Sequence, residues 1–140
     1  EVRLAKRHDQ RLAMMIMDLD GFKKINDSLG HDVGDSLLKK VAEIVTSRLR
    51  DTDMLFRYGG DEFVAALPLT EIQGAIDVAN RILSSIKDLS SDEFPEFSGI
   101  GMSIGLSMLN AGDDFNGFFK RVDKALYQAK NSGKHRVIVG

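Results

Sequence analysis

The 140-residue sequence has no cysteine, no tryptophan and only two prolines. Without cysteine there is no disulfide, no thiolate ligand and no thiol nucleophile, which fits a reducing compartment. An excess of charge is missing too. Nineteen Lys and Arg face twenty-one Asp and Glu, for a net charge of −2. That balance argues against a nucleic-acid or membrane-surface protein. An anionic ligand must then be held by local cations, backbone amides or a metal. The longest apolar run, Leu12 to Met17, is too short to span a bilayer. No signal peptide, lipidation motif, repeat or low-complexity tract stands out. There is no Gly-x-x-x-x-Gly-Lys-Ser/Thr loop, so a triphosphate here is not gripped by a P-loop. His8, His31 and His135 lack metal-ligand spacing.

What is present is ordinary in bulk and specific in detail. The chain is 43% hydrophobic and 29% charged, and its length suits one domain with its own core. Leu12–Met17 reads as a strand buried on both faces. It runs into Asp18-Leu19-Asp20. A short helix is expected from about Gly21 to Ser28, with Asp20 as N-cap and Gly30 as the stop. A longer helix follows, with Asp32 at its start and Leu37, Leu38, Val41, Ala42, Val45 and Leu49 as its stripe. Ala75, Val78, Ala79, Ile82, Leu83 and Ile86 mark a third helix. Residues 88–99, with Pro95, read as a loop. Ile100, Met102, Ile104, Leu106 and Met108 alternate with Gly and Ser, the period of a strand, and the small residues predict a close neighbour on that face. Phe115, Phe118, Phe119, Val122, Ala125, Leu126 and Ala129 mark a last helix before a short strand at 136–139. The order β-α-α-β-β-α-β-α-β predicts an α+β fold, with helices on one face of a largely antiparallel sheet.

The densest chemistry lies in Arg57-Tyr58-Gly59-Gly60-Asp61-Glu62-Phe63. Two glycines between apolar runs mark a tight hairpin. Two carboxylates on that turn are costly unless solvent or a cation relieves them. If the Asp18 strand pairs with the hairpin, Asp18, Asp61 and Glu62 converge. Mg2+ accepts such a partial cage and completes it with substrate phosphates. Lys23 and Lys24, in the first turn of a helix, stand beside a ready anion site. They also read as a solvated pair. Asn26 and Asp35 can read a purine edge. Asp35 can equally complement a helix dipole, and Asn26 can be a plain surface residue. Lys130 and Lys134 straddle a helix end, where the dipole alone favours cations.

Together these residues resemble the GGDEF domains, the bacterial diguanylate cyclases. Gly59-Gly60-Asp61-Glu62-Phe63 matches the family's name motif. The stretch from Asp18 to Asp35 resembles its first nucleotide block, Met102–Leu106 its later Ser-Ile-Gly strand, and Asp123–Lys134 its closing block. The resemblance implies a palm-like α+β fold, a mostly antiparallel sheet flanked by helices. It implies condensation of two GTP into cyclic di-GMP and two pyrophosphates by an antiparallel pair of domains. Asp18, the Leu19 carbonyl, Asp61 and Glu62 would hold Mg2+ or Mn2+, two ions per half-site. Asp61, Glu62 and Lys23 would be catalytic. Asn26 and Asp35 would read guanine, and Lys23, Lys130 and Lys134 would neutralise the triphosphate. Phe22, His31, Gly59 and Gly60 would line the site. Arg50 and Asp53 resemble the family's inhibitory Arg-x-x-Asp product site, with Arg81 as its secondary arginine; taken alone, Arg50 and Asp53 read as a surface ion pair.

The family's upstream Asp-x-Leu-Thr stretch is absent, so residues 1–140 are expected to be one domain entered inside its leading helix. The implied setting is the bacterial cytoplasm, within a longer protein that can be membrane-anchored. The alternative is a non-catalytic module that senses GTP or cyclic di-GMP, for example beside a phosphodiesterase domain. No nucleic-acid or membrane contact is expected of the segment itself.

Overall fold

The structure, a computed structural model, describes residues 2–89 and 99–140. The elements are α1 (Val2–Arg7), β1 (Leu12–Asp20), α2 (Phe22–Leu29), α3 (His31–Ser47), β2 (Met54–Arg57), β3 (Glu62–Pro68), α4 (Ile72–Asp88), β4 (Gly101–Met108), α5 (Phe115–Asn131) and β5 (Val137–Val139). The sheet order is β2-β3-β1-β4-β5. All neighbouring strands are antiparallel except β4 and β5. This is the expected α+β architecture. Most of the expected 88–99 loop, residues 90–98, lies outside the described residues.

Period two sorts the sheet into two faces. Ala13, Met15, Met17 and Leu19 of β1 join Phe63, Ala65 and Leu67 of β3 and Met102, Ile104 and Leu106 of β4 in one core, beneath α3 and α4. Leu12, Met14 and Ile16 point the other way, into a second core with Phe118, Val122 and Leu126 of α5. Helices therefore cover both faces, not the single face expected from the element order. The central strand β1 is buried along its whole length, as its unbroken apolar run implies.

The small residues of β4 explain how α5 gets so near. A Cβ on Gly105 would lie 2.9 Å from Leu126 Cα and nearer still to the Val122 carbonyl oxygen. Only a residue without a side chain admits the helix backbone there. Three local readings need correction. Asp20 is not a cap: β1 runs through it, Gly21 holds the N-cap position, and no side chain caps α2. The buried stripe of α5 is narrower than its spacing predicts, since Phe115 is 54% exposed and packs on Phe119 rather than in a core. Leu49 falls beyond the end of α3, though it still packs against the first core.

Candidate functional site

The β1–β3 register sets Asp18 directly opposite Glu62. The hairpin joining β2 to β3 closes through the Tyr58 N–H donating to the Glu62 carbonyl, 2.8 Å. Gly59 takes φ +80° in that turn, with open space around it; a side chain would be strained there. Arg57 Nη2 steadies the tip by donating to the Gly60 carbonyl, 2.8 Å. Asp61 follows, and its carbonyl accepts the Leu19 N–H at 3.3 Å. Two sequence-distant acidic stretches thus meet at one rim of the sheet.

Lys130, in the last turn of α5, forms an ion pair with Asp18 Oδ2. The other oxygen, Oδ1, is buried and has no hydrogen-bond partner among the described residues. Burial, with Asp61 adding to it, pushes the Asp18 carboxyl up to about 6 against the pull of Lys130. Glu62 is also raised, by burial and then by the charges of Asp123 and Asp61. Burial works against the Lys130 charge, but its bond to Asp18 and the surrounding carboxylates raise its pKa on balance. The site holds more negative charge than one lysine neutralises.

That electrostatic surplus suits a divalent cation. Among the described residues no three His, Cys, Asp or Glu side chains are already gathered into a coordinating cluster. The fit is to an ion that needs one or two carboxylates and takes its other ligands from phosphate. The unpaired Asp18 Oδ1 marks where the protein has an acceptor to spare.

A cleft of about 660 Å³ opens beside these carboxylates, lined in part by Leu19, Phe22, Lys23, Asp61, Lys130 and Lys134. Three expected triphosphate lysines therefore share one cavity. Asn26, His31 and Asp35 lie at the α2–α3 elbow. Asn26 Nδ2 and His31 Nδ1 are 3.0 Å apart. Gly34 admits the Asn26 amide, whose Cγ would be 3.2 Å from a Cβ placed there. Asp35 is exposed and lies past the first turn of α3, where only Asp32 complements the dipole. This removes the dipole explanation for Asp35.

Arg50 and Asp53 sit at the opposite end of the hairpin. The Asp53 side chain is 1% exposed and pairs with Arg50 Nη2 at 3.1 Å. The same nitrogen donates to the Pro68 carbonyl at 2.8 Å and to Thr70 Oγ1 at 2.5 Å. This is a strap across the ends of β2 and β3, not the surface ion pair that the two residues suggest by themselves. Arg81, on α4, lines a separate groove of about 300 Å³ with Arg48, Asn80 and Ser84. The structure does not join it to Arg50 and Asp53 within one chain.

Sequence reasoning missed three residues at the rim. The Ser103 hydroxyl donates to Asp20 at 2.9 Å, and the His135 N–H donates to Asp20 Oδ2 at 3.0 Å. Asp20 is consequently buried and satisfied within the sheet. The one available signal was a serine among the small residues of a buried strand.

A family model for "Diguanylate cyclase, GGDEF domain" matches residues 1–136. The chain belongs to the GGDEF family. This GGDEF domain is 40% identical over 129 residues to Diguanylate cyclase DgcM of Escherichia coli K12, covering 92% of this chain and 31% of that one. It spans about a third of the length of the curated relatives it matches. Among solved structures it resembles the active GGEEF domain of a diguanylate cyclase from Vibrio cholerae, with a TM-score of 0.89, 35% identity and coverage of 98% of this chain and 87% of that one. The GGDEF domain of DgcB from Caulobacter crescentus, solved in complex with c-di-GMP, gives a TM-score of 0.89 at 25% identity, covering 98% of this chain and 82% of that one. The fold of this GGDEF domain is accordingly the palm-like one that the resemblance implied. No helix among the described residues is long and apolar enough to cross a membrane.

Proposed function

We propose that this GGDEF domain, residues 1–140, is one half of a diguanylate cyclase. It condenses two GTP into cyclic di-GMP and releases two pyrophosphates, with a second copy supplying the other half. The observation that carries this reading is the meeting of Asp18 and Glu62 in strand register, with Asp61 beside them, at the mouth of a lysine-lined cleft.

In this reading Asp18, the Leu19 carbonyl, Asp61 and Glu62 hold Mg2+ or Mn2+. The metal supplies charge neutralisation at the phosphates and makes the attacking hydroxyl more acidic. Lys23, Lys130 and Lys134 bind the triphosphate. Asn26 and Asp35 select guanine, whose N1–H and exocyclic amine both donate, beside Phe22 and His31. The 3′-hydroxyl of one GTP attacks the α-phosphorus of the other, the new O–P bond forms and pyrophosphate leaves. The hydroxyl proton passes to Asp61 or Glu62. Burial raises Glu62, the direction that favours proton uptake. Most of the acceleration comes from positioning and from neutralised charge. Arg50, Asp53 and Arg81 form the product-inhibition site, Arg81 acting from a neighbouring chain.

A second reading, a GTP- or cyclic di-GMP-sensing module in a larger signalling protein, is favoured by one feature. Lys130 pairs with Asp18, so that carboxylate finds a counter-charge within the chain itself. Incubation with GTP and Mg2+, followed by chromatography, separates the two. Cyclic di-GMP that disappears in Asp61→Ala and Glu62→Ala, with both variants folded by circular dichroism, supports the cyclase. GTP bound but never consumed, by this chain and by a longer one, supports the sensor.

A further inference from the structure

Lys134 and His135 both adopt left-handed backbone, at φ +61° and +43°. Two successive non-glycine residues in that region store strain that surrounding structure must over-determine. Here the surroundings do. The Lys134 N–H donates to the Ala129 carbonyl at 3.0 Å. The His135 N–H donates to buried Asp20, which Ser103 Oγ also engages. The Met102 N–H donates to His135 Nδ1 at 3.2 Å. Gly101 leaves room for the imidazole, since a Cβ there would be 2.9 Å from Nδ1. Arg136 Nε closes the turn on the Lys134 carbonyl at 3.0 Å. The strained pair is therefore clamped to β1 and β4, and its lysine stands at the rim of the cleft.

We propose that Asp20 and His135 are positioning residues for Lys134. They hold the turn in its left-handed form so that the ammonium meets a bound polyphosphate; Asp20, which also lines the cleft, acts on Lys134 through its bonds to Ser103 and the His135 N–H. A relaxed turn would let Lys134 swing into solvent on a flexible four-carbon stem. The inference rests on the reading of the cleft as a triphosphate site and adds the device that aims one of its cations. Left-handed backbone is tolerated by Asn better than by most residues, so His135→Asn should keep the turn. A β-branched residue should break it.

The test is a double-mutant cycle on inorganic triphosphate binding, measured by calorimetry with Mg2+ present, with melting temperatures recorded for every variant. Asp20→Asn should weaken binding roughly tenfold in the wild-type background, the scale of coupling between residues that act as one unit. It should cost less than about twofold once Lys134→Ala is in place, because the residue it aims is gone. His135→Val should behave like Asp20→Asn, and His135→Asn like wild type. Should Asp20→Asn fail to fold, His135→Val carries the same cycle with Asp20 intact. Equal losses with and without Lys134, or no loss in a folded variant, overturn the inference and leave the cyclase reading standing. A wild-type protein that binds neither triphosphate nor GTP overturns both.

Discussion

At the scale of single residues, the structure changes what two familiar-looking charges are for. Arg50 reaches Asp53, Pro68 and Thr70 together. Removing its side chain takes the charged donor from a buried carboxylate, which keeps only the Arg50 backbone N–H, and from a buried threonine. Arg50→Ala should therefore lower stability by about 1–3 kcal/mol, the usual cost of stranding buried acceptors. A urea midpoint unchanged from wild type would show that the strap is idle. Any loss of cyclic di-GMP affinity in that variant must be read against this loss of stability. Lys130 is the counter-charge of Asp18. Lys130→Met should melt below wild type without divalent ions, because a partly buried carboxylate loses its partner. Added Mg2+ should then raise the melting temperature of the variant more than that of wild type, since the ion no longer competes with an ammonium. An equal rise in both proteins would show that Asp18 does not take the ion.

At the scale of elements, the closest packing is α5 on β4. Gly105→Ala would drive a methyl group into the backbone of Val122 and Leu126. Overpacking of this kind costs about 1–3 kcal/mol, and it should also displace Lys130, which rides on the same helix. Thermal melting and GTP binding should both fall; a variant as stable as wild type would mean that the helix can lift. Close packing on that face was legible, because Gly and Ser alternate with large residues along 100–108. The strands, α2 to α5 and the convergence of Asp18 with the hairpin were legible for similar local reasons. Other features were not. The six residues of α1 contribute a single buried side chain, Ala5, and so leave almost no periodic trace; the leading helix was expected from the family resemblance alone. Asp20 looked like a cap because a carboxylate before a helix is the commonest local solution, but a hydroxyl 83 residues away claims it. Phe115 looked like core because its spacing fits the stripe, yet it stands in the first turn of α5, outside both cores. Long-range partners and helix overhang carry no short-range signal.

At the scale of the whole molecule, two cores share one central sheet, and a second polar clamp closes the far edge of the α5 layer. Arg121 forks onto Asp113 at 2.9 and 2.6 Å and also reaches Ser107 and the Met108 carbonyl. This guanidinium holds the Asp113 carboxyl down at about 2 from an ordinary 3.8. A depressed carboxylate stabilises the fold above its unfolded pKa, and that contribution is lost as pH falls through the folded one. Asp113→Asn should therefore cost about 1 kcal/mol at pH 6, after allowance for partial exposure. The difference from wild type should shrink between pH 4 and pH 2. A gap in denaturant midpoint that stays constant over that range would assign the loss to packing.

The bond from His135 to Asp20 spans 115 residues. Contacts between such distant parts of a chain form late, because the whole intervening loop must first be closed. On a ribosome, β1 emerges before Ser103 and His135 and waits for both before its rim is complete. A growing chain can thus fold much of its first core while it is still unable to grip a phosphate at Lys134. Nucleotide should protect arrested chains from proteolysis only once β5 is outside the exit tunnel, so the domain is kept from its ligand until synthesis has passed its last strand.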